Sequence, residues 1–202
     1  MVVHRVNRSE LKALVDLHKK AFPGFLMTLL GDRFLYEYYN IVFDYSGNIM
    51  LLCDESENVH IGFVVGFRSP NKFYSSLKKK KFNLLACALG HLISTPRLFY
   101  RVFKSYKTAA VRAADKGYGD DVAELASIGV DPNSRNRGAG RLLLSQFIEE
   151  GKKMGVKKVY LTTDRNNNDH VNRFYTQNGF VICGINEIAK DRPMNRYVLV
   201  IK

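Results

Sequence analysis

The stretch Arg135-Asn136-Arg137-Gly138-Ala139-Gly140 decides the fold, because it joins an apolar strand pattern to an amphipathic helix pattern. Its two glycines let the backbone approach a ligand without interference from a Cβ atom. The free N–H groups at the start of the next helix favour an anion, and arginine suits bidentate phosphate contacts. With Arg141 beside it, the stretch predicts a pyrophosphate cradle. Taken alone, it also fits a tight turn with solvated arginines.

The patterns on either side of this stretch predict a mixed α+β fold with a βαβ core. Ser9 is the predicted N-cap of the first helix. Strands are predicted at Val2–Val6, Ile49–Cys53, Val59–Phe67, Val122–Val130, Lys157–Thr163, Phe180–Ile185 and Arg196–Ile201. Helices are predicted over Glu10–Lys20, from about Leu26 to Phe43, over Gly138–Met154 and over Asp169–Asn178.

Composition excludes several classes of protein. The 202 residues suit one α/β domain, and 46% hydrophobic with 25% charged residues is the composition of a folded globular chain. Cys53, Cys87 and Cys183 lie far apart and without metal-ligand spacing, so neither a disulfide framework nor a metal site is expected. No run reaches the roughly 20 apolar residues of a membrane span. The charged N-terminus does not resemble a signal peptide, and we expect a cytoplasmic protein.

The basic charge is concentrated in one segment. The chain has a net charge of +12, and residues 71–116 contain eleven Lys or Arg against one Asp. We predict that 69–121 forms a basic helical insertion between strands three and four of a single domain, 1–202. The insertion is either a solvated helical surface, a surface for an anionic acceptor such as a sugar nucleotide, or a membrane-surface contact through 71–116. Nucleic acid is disfavoured because no recognised binding module is present.

Two motifs in sequence order resemble a known family. The strand Glu124–Val130 leads through Asp131-Pro132 into the Arg-x-x-Gly-x-Gly pattern of the cradle, and Asn168-x-x-Val171-x-x-Phe174-Tyr175-x-x-x-Gly179-Phe180 follows downstream. Together they resemble the two signatures of the GNAT superfamily of N-acetyltransferases, which usually has Ala where Val171 stands. The resemblance implies a GNAT-type acyl-CoA N-acyltransferase fold, an α+β fold whose mixed central sheet is flanked by helices.

The resemblance also implies acetyl-CoA as the acyl donor. In such proteins the backbone of the fourth strand pairs with pantetheine, and the amides of the cradle hold the pyrophosphate. By the same resemblance Asn168 touches the pantetheine arm and Tyr175 protonates the leaving thiolate. A phenol with a pKa near ~10 is a suitable donor to a thiolate of pKa near ~8.5. The implied cofactor-binding residues are Ile128, Gly129, Val130, Arg135, Asn136, Arg137, Gly138, Ala139, Gly140, Arg141 and Asn168.

A base must accept the proton that an amine loses during attack. Glu124 is the best candidate, because regular alternation along its strand predicts that it shares a face with Ala126, Ile128 and Val130. Asp121 is a second candidate. A Glu124 that faces solvent and a Tyr175 that packs in the core are the alternatives left open.

Nothing in the sequence marks a Ser or Cys nucleophile, so we expect direct transfer of acetyl to a primary amine. The expected acceptor is a small-molecule amine, with an amino sugar and an anionic compound among the options. A non-catalytic acyl-CoA-binding protein acting as a sensor or adaptor is the main alternative. A third reading is a basic protein that associates with membrane or nucleic acid, and a homodimer is left open.

Overall fold

The computed structural model describes residues 1–57, 59–94, 119–187 and 192–201, and a seven-stranded sheet runs through them. The strand order is β1-β2-β3-β4-β5-β7-β6, with β4 and β5 parallel and the other neighbours antiparallel. The strands are β1 Val2–Arg5, β2 Asn48–Ser56, β3 Val59–Arg68, β4 Val122–Val130, β5 Lys158–Asp164, β6 Val181–Glu187 and β7 Pro193–Val200.

Helices cover both faces of this sheet. The described α-helices are α1 Leu11–Ala21, α2 Leu26–Leu29, α3 Asp32–Phe43, α4 Pro70–Lys79, α5 Lys81–Ser94, α6 Ala139–Lys153 and α7 Asp169–Gln177. Residues of α6 and α7 pack on one face, and residues of α1, α3 and α4 pack on the other. Successive residues of a strand point to opposite faces, so Val64 joins the α6 side while Phe63 and Val65 join the α1 side.

Two predicted helix boundaries in the N-terminal third are wrong. The turn before α1 begins at Asn7 and not at Ser9, because the Asn7 amide donates to the Glu10 carboxylate at 2.7 Å. The single helix predicted from Leu26 to Phe43 is divided into α2 and α3. Gly31 separates them with φ +91°, a backbone conformation that favours glycine.

The described part of the insertion is helical, as predicted. α4 and α5 follow β3 directly, and Ala88 of α5 packs with Leu30 at the end of α2. Residues 95–118, which contain the predicted basic face at Arg97, Arg101 and Lys104, lie outside the described residues. Within the described part of the chain, no helix is both long and apolar enough to cross a membrane.

The sheet opens between its two parallel strands. β4 and β5 pair from Val122↔Lys158 to Glu124↔Tyr160. Beyond Glu124, β4 continues along β3, while β5 continues along β7. We call the resulting opening the β4–β5 gap; it is lined by the unpaired edges of 125–130 and 161–164.

Candidate active site

A β-bulge lies in β4 at the mouth of the β4–β5 gap. Val65 of β3 is opposite Ser127, but the next residue, Gly66, is opposite Leu125, so Ala126 is the extra residue. A Cβ atom at Gly66 would lie 2.1 Å from the Glu124 carbonyl oxygen. Glycine at position 66 therefore permits the close approach of the two strands beside the bulge.

The bulge corrects the prediction for Glu124. An extra residue reverses the alternation of side chains, so Glu124 does not share a face with Ile128 and Val130. Those two pack on the α6 side, whereas Glu124 is opposite Phe67 and lies with it on the α1 side. The predicted shared face is wrong, and Glu124 is buried and not facing solvent.

The carboxylate of Glu124 accepts hydrogen bonds from two tyrosines. The Tyr74 hydroxyl lies 2.9 and 3.0 Å from its two oxygens, and the Tyr160 hydroxyl lies 2.5 Å from Oε2. Burial, and then the negative charge of Glu124, raise the pKa of Tyr38 on α3. A buried carboxylate held by phenols at the closed end of the gap has the chemistry needed to accept a proton or to bind an ammonium group.

Tyr74 and Tyr160 were not identified from the sequence. Tyr160 meets Glu124 because the two residues are register partners in the parallel pair, and pairing is not visible in either strand alone. Tyr74 is positioned by its neighbour Phe73, which is fully buried and stacks on Phe67 at a centroid distance of 3.8 Å. Tyr74 lies among lysines in the predicted basic insertion, and nothing in that stretch of sequence links it to Glu124.

The predicted cradle has free backbone donors. The first amide of α6 with a backbone acceptor is that of Leu142, which donates to the Gly138 carbonyl at 3.0 Å. The amides of 139–141 precede it and have no intrahelical acceptor. Gly138 adopts φ +87°, and a Cβ atom there would meet nothing within 4 Å. Because the space in front of Gly138 is open, the cradle can accommodate an anion.

The loop into the cradle is fixed at Asp131. Its carboxylate accepts from the Asn133 amide at 3.0 Å and from Lys20 Nζ at 3.0 Å. The Asn133 hydrogen bond, and then Lys20, lower the pKa of Asp131. A Cβ atom at Gly140 would lie 3.8 Å from the side chains of Phe174 and Val130, so the cradle lies between β4 and α7.

The arginines of the cradle differ in their partners. Arg137 donates to the Glu55 carboxylate at 2.5 Å through Nη1, which leaves its other N–H groups for a further acceptor. Arg135 and Arg141 are exposed. Asn136 has φ +63°, which turns the chain sharply before the helix.

Asn168 immediately precedes α7, and its side chain ties the start of this helix to β5. Its Nδ2 donates to Thr163 Oγ1 at 2.8 Å and to the Asp164 carbonyl at 3.1 Å. These bonds occupy the amide nitrogen, and the carbonyl oxygen is the atom left to meet a ligand. A contact with pantetheine stays a prediction.

Tyr175 lies on the face opposite Glu124. It is buried in the α6-side cluster, with the rings of Phe180 and Tyr197 at centroid distances of 5.6 and 5.7 Å. Tyr197 is the register partner of Leu161, where the gap begins. Burial, and then the neighbouring phenol of Tyr197, raise the pKa of Tyr175, so it is a neutral phenol throughout the physiological range.

The chain matches the model of the Acetyltransferase (GNAT) family over residues 11–180 and belongs to that family. The predicted GNAT fold is therefore confirmed, and the protein is an acyltransferase of a family that uses acetyl-CoA. No curated protein sequence matches the chain.

Solved structures share the fold at low sequence identity. The ribosomal-protein-S18-alanine N-acetyltransferase of Escherichia coli superposes with a TM-score of 0.61 at 15% identity, covering 100% of this chain and 94% of that one. The ribosomal-protein-alanine N-acetyltransferase of Brucella melitensis superposes with a TM-score of 0.62 at 17% sequence identity, and the match covers 100% of both chains. A Bacillus anthracis structure described as a streptothricin acetyltransferase in complex with acetyl coenzyme A superposes with a TM-score of 0.51 at 19% sequence identity. The match covers 81% of this chain and 68% of that one.

Proposed function

We propose that this protein transfers the acetyl group of acetyl-CoA directly to the primary amine of a small molecule, within the β4–β5 gap. The observation that carries the proposal is the position of Glu124. It is the last paired residue before the gap, and its buried carboxylate is held by Tyr74 and Tyr160. The family membership supplies the reaction class, and the gap supplies a place where donor and amine can meet.

The donor would be held by backbone groups along one side of the gap. The unpaired edge of Ile128, Gly129 and Val130 suits an extended ligand that adds hydrogen bonds like a further strand. The amides of 139–141 and the open space at Gly138 suit its pyrophosphate. When bound, acetyl-CoA would supply the acetyl thioester.

Glu124 would act on the amine. An alkyl amine is an ammonium at neutral pH and must lose a proton to become a nucleophile. The Glu124 carboxylate would bind the ammonium and accept its first proton, directly or through one water, before the new C–N bond forms. The nitrogen would lose its second proton to water as the tetrahedral intermediate breaks down and the C–S bond is cleaved. Tyr74 and Tyr160 would hold the carboxylate toward the gap, because each hydroxyl donates to it.

Tyr175 would act on the leaving group from the opposite face. Its raised pKa keeps the hydroxyl protonated, so it enters each cycle able to donate a hydrogen bond or proton to sulfur. Its ring is fixed by packing against Phe180 and Tyr197. Glu124 would therefore accept the first proton of the ammonium, and Tyr175 would supply the proton of the leaving thiol, from the two sides of the sheet.

The experiment is a release assay for free CoA thiol with a panel of primary amines, including amino sugars, sugar nucleotides, amino acids and peptides with a free N-terminus. Glu124→Gln should lower kcat/KM for the best amine by about a hundredfold or more, since general-base catalysis contributes that much. Glu149→Gln, an exposed residue of α6, is the matched control. Unchanged turnover in Glu124→Gln would remove Glu124 from the mechanism. Acetyl-CoA binding without turnover of any amine would favour a sensor or adaptor.

A further inference from the structure

Helix α5 has an apolar face that the described fold does not bury. Phe82, Leu85 and Leu89 are 70%, 45% and 45% exposed, and their spacing places them on one side of the helix. The opposite side is used in packing: Leu84 contacts the α1-side cluster, and Ala88 is buried beside α2. The exposed face, which we call the α5 stripe, is therefore additional to the one that holds the helix in place.

Four consecutive lysines lie at the beginning of the α5 stripe. Lys78–Lys81 span the junction between α4 and α5, and residues 70–94 contain no Asp or Glu. Lys78, Lys79 and Lys81 are exposed, and Lys81 Nζ lies 5.0 Å from the centroid of the Phe82 ring. Positive charges and apolar side chains thus share one continuous surface.

We infer that this surface binds the face of an anionic lipid bilayer. Lysine ammonium groups attract acidic headgroups, and Phe and Leu side chains enter the boundary between headgroups and acyl chains. Each contribution is modest alone, but the two act together when a basic cluster adjoins an apolar helix face. The helix is held in the fold by its other face, so binding requires no unfolding.

Charge and hydrophobicity together favour a bilayer over other occupants. Nucleic acid would use the lysines but would leave Phe82, Leu85 and Leu89 in water. A second copy of the chain would bury the stripe, but this segment would offer the lysines no acidic partner, because residues 70–94 contain no Asp or Glu. An anionic bilayer satisfies both halves of the surface.

This inference is independent of acetyl transfer, because it uses no residue of the candidate active site. The test is flotation of the full chain with vesicles of phosphatidylcholine alone and with vesicles that contain about 30% phosphatidylglycerol, at about 0.1 M salt. We expect binding to the anionic vesicles and at least tenfold weaker binding to the neutral ones.

Two variants test the lysines and the apolar side chains of this surface separately. Lys78→Gln with Lys79→Gln and Lys81→Gln should weaken the partition to anionic vesicles by about a hundredfold. Phe82→Ser with Leu85→Ser should weaken it by about tenfold or more. The control for charge is a triple Lys→Gln variant at three other exposed lysines, and the control for apolar exposure is a double Ser variant on β6. The charge control changes Lys12, Lys152 and Lys157, and the apolar control changes Val181 and Ile182.

Circular dichroism and acetyl-CoA affinity should be unchanged in all four variants. The inference is overturned if the wild type does not bind anionic vesicles, or if the control variants lose as much as the surface variants. It is also overturned if the protein does not bind either kind of vesicle but binds duplex DNA through the lysines alone. Self-association that disappears in Phe82→Ser with Leu85→Ser, again without vesicle binding, would assign the stripe to a second copy instead.

Discussion

Replacement of Gly138 by Asp separates the cost to folding from the cost to ligand binding. Gly138 has φ +87° and open space where a Cβ would lie, so the protein itself should tolerate the new side chain apart from backbone strain. That strain costs about 1–2 kcal/mol for a non-glycine residue in this region. The new carboxylate would occupy the space in which we expect the pyrophosphate.

The expected loss of affinity follows from the contacts that the phosphate would forfeit. Displacement from about two charge-assisted hydrogen bonds costs about 3 kcal/mol, or about a hundredfold in Kd, and repulsion by the carboxylate adds to it. Gly155→Asp is the matched control. Gly155 ends α6 with φ +77° and likewise has nothing within 4 Å of its Cβ position, so it carries the same strain away from the cradle.

Titration calorimetry with acetyl-CoA and thermal unfolding of both variants form the assay. We expect similar losses of stability, with weakened acetyl-CoA binding in Gly138→Asp alone. A folded Gly138→Asp variant with the Kd of the wild type would refute the cradle. Equal weakening by Gly155→Asp would show that the effect arises from instability and not from the site.

Three further perturbations probe the rest of the molecule. Tyr175→Phe should lower turnover about ten- to a thousandfold with little change in acetyl-CoA affinity, measured by thiol release and calorimetry; wild-type turnover from pH 6 to about pH 9 would exclude a proton donor. Gly66→Ala should destabilise the fold by about 3 kcal/mol or more, because its Cβ would lie 2.1 Å from the Glu124 carbonyl oxygen and 2.6 Å from the Phe147 ring. Denaturant unfolding measures this change, and a free energy of unfolding within about 1 kcal/mol of wild type would contradict the prediction. Burial lowers the pKa of His18 from 6.5 to about 4, so the unfolded chain takes up a proton that the folded chain does not, and stability should fall by about 3 kcal/mol from pH 7 to pH 4. His18→Phe should remove most of that dependence, and an unchanged pH slope in this variant would mean that other groups cause it.

The glycine turn before α6 and the succession of strands along the chain could be predicted from the sequence because both depend on local signals. The positive φ at position 138 favours glycine, and the alternation and spacing of apolar residues define β4, α6 and β5. The helix boundaries near Asn7 and Gly31 were missed because single residues set them. In each case the competing local signal, Ser9 or a continuous apolar pattern, was equally plausible.

The surroundings of Glu124 could not be predicted in the same way. One inserted residue at Ala126 moves Glu124 to the other face of the sheet, and the sequence of β4 alone shows regular alternation. Tyr160 reaches Glu124 through strand pairing, and Tyr74 reaches it from a helix fifty residues earlier in the chain. Such contacts are set by tertiary packing and not by local propensity.

A crystal structure of the protein with CoA tests the central claim most directly. The account predicts the pyrophosphate within about 3 Å of the amides of 139–141, and pantetheine along 128–130 in the β4–β5 gap. It also predicts the sulfur between the Glu124 face and the Tyr175 face of the sheet. CoA bound elsewhere, or a gap filled by the protein's own side chains with CoA present, would contradict the account.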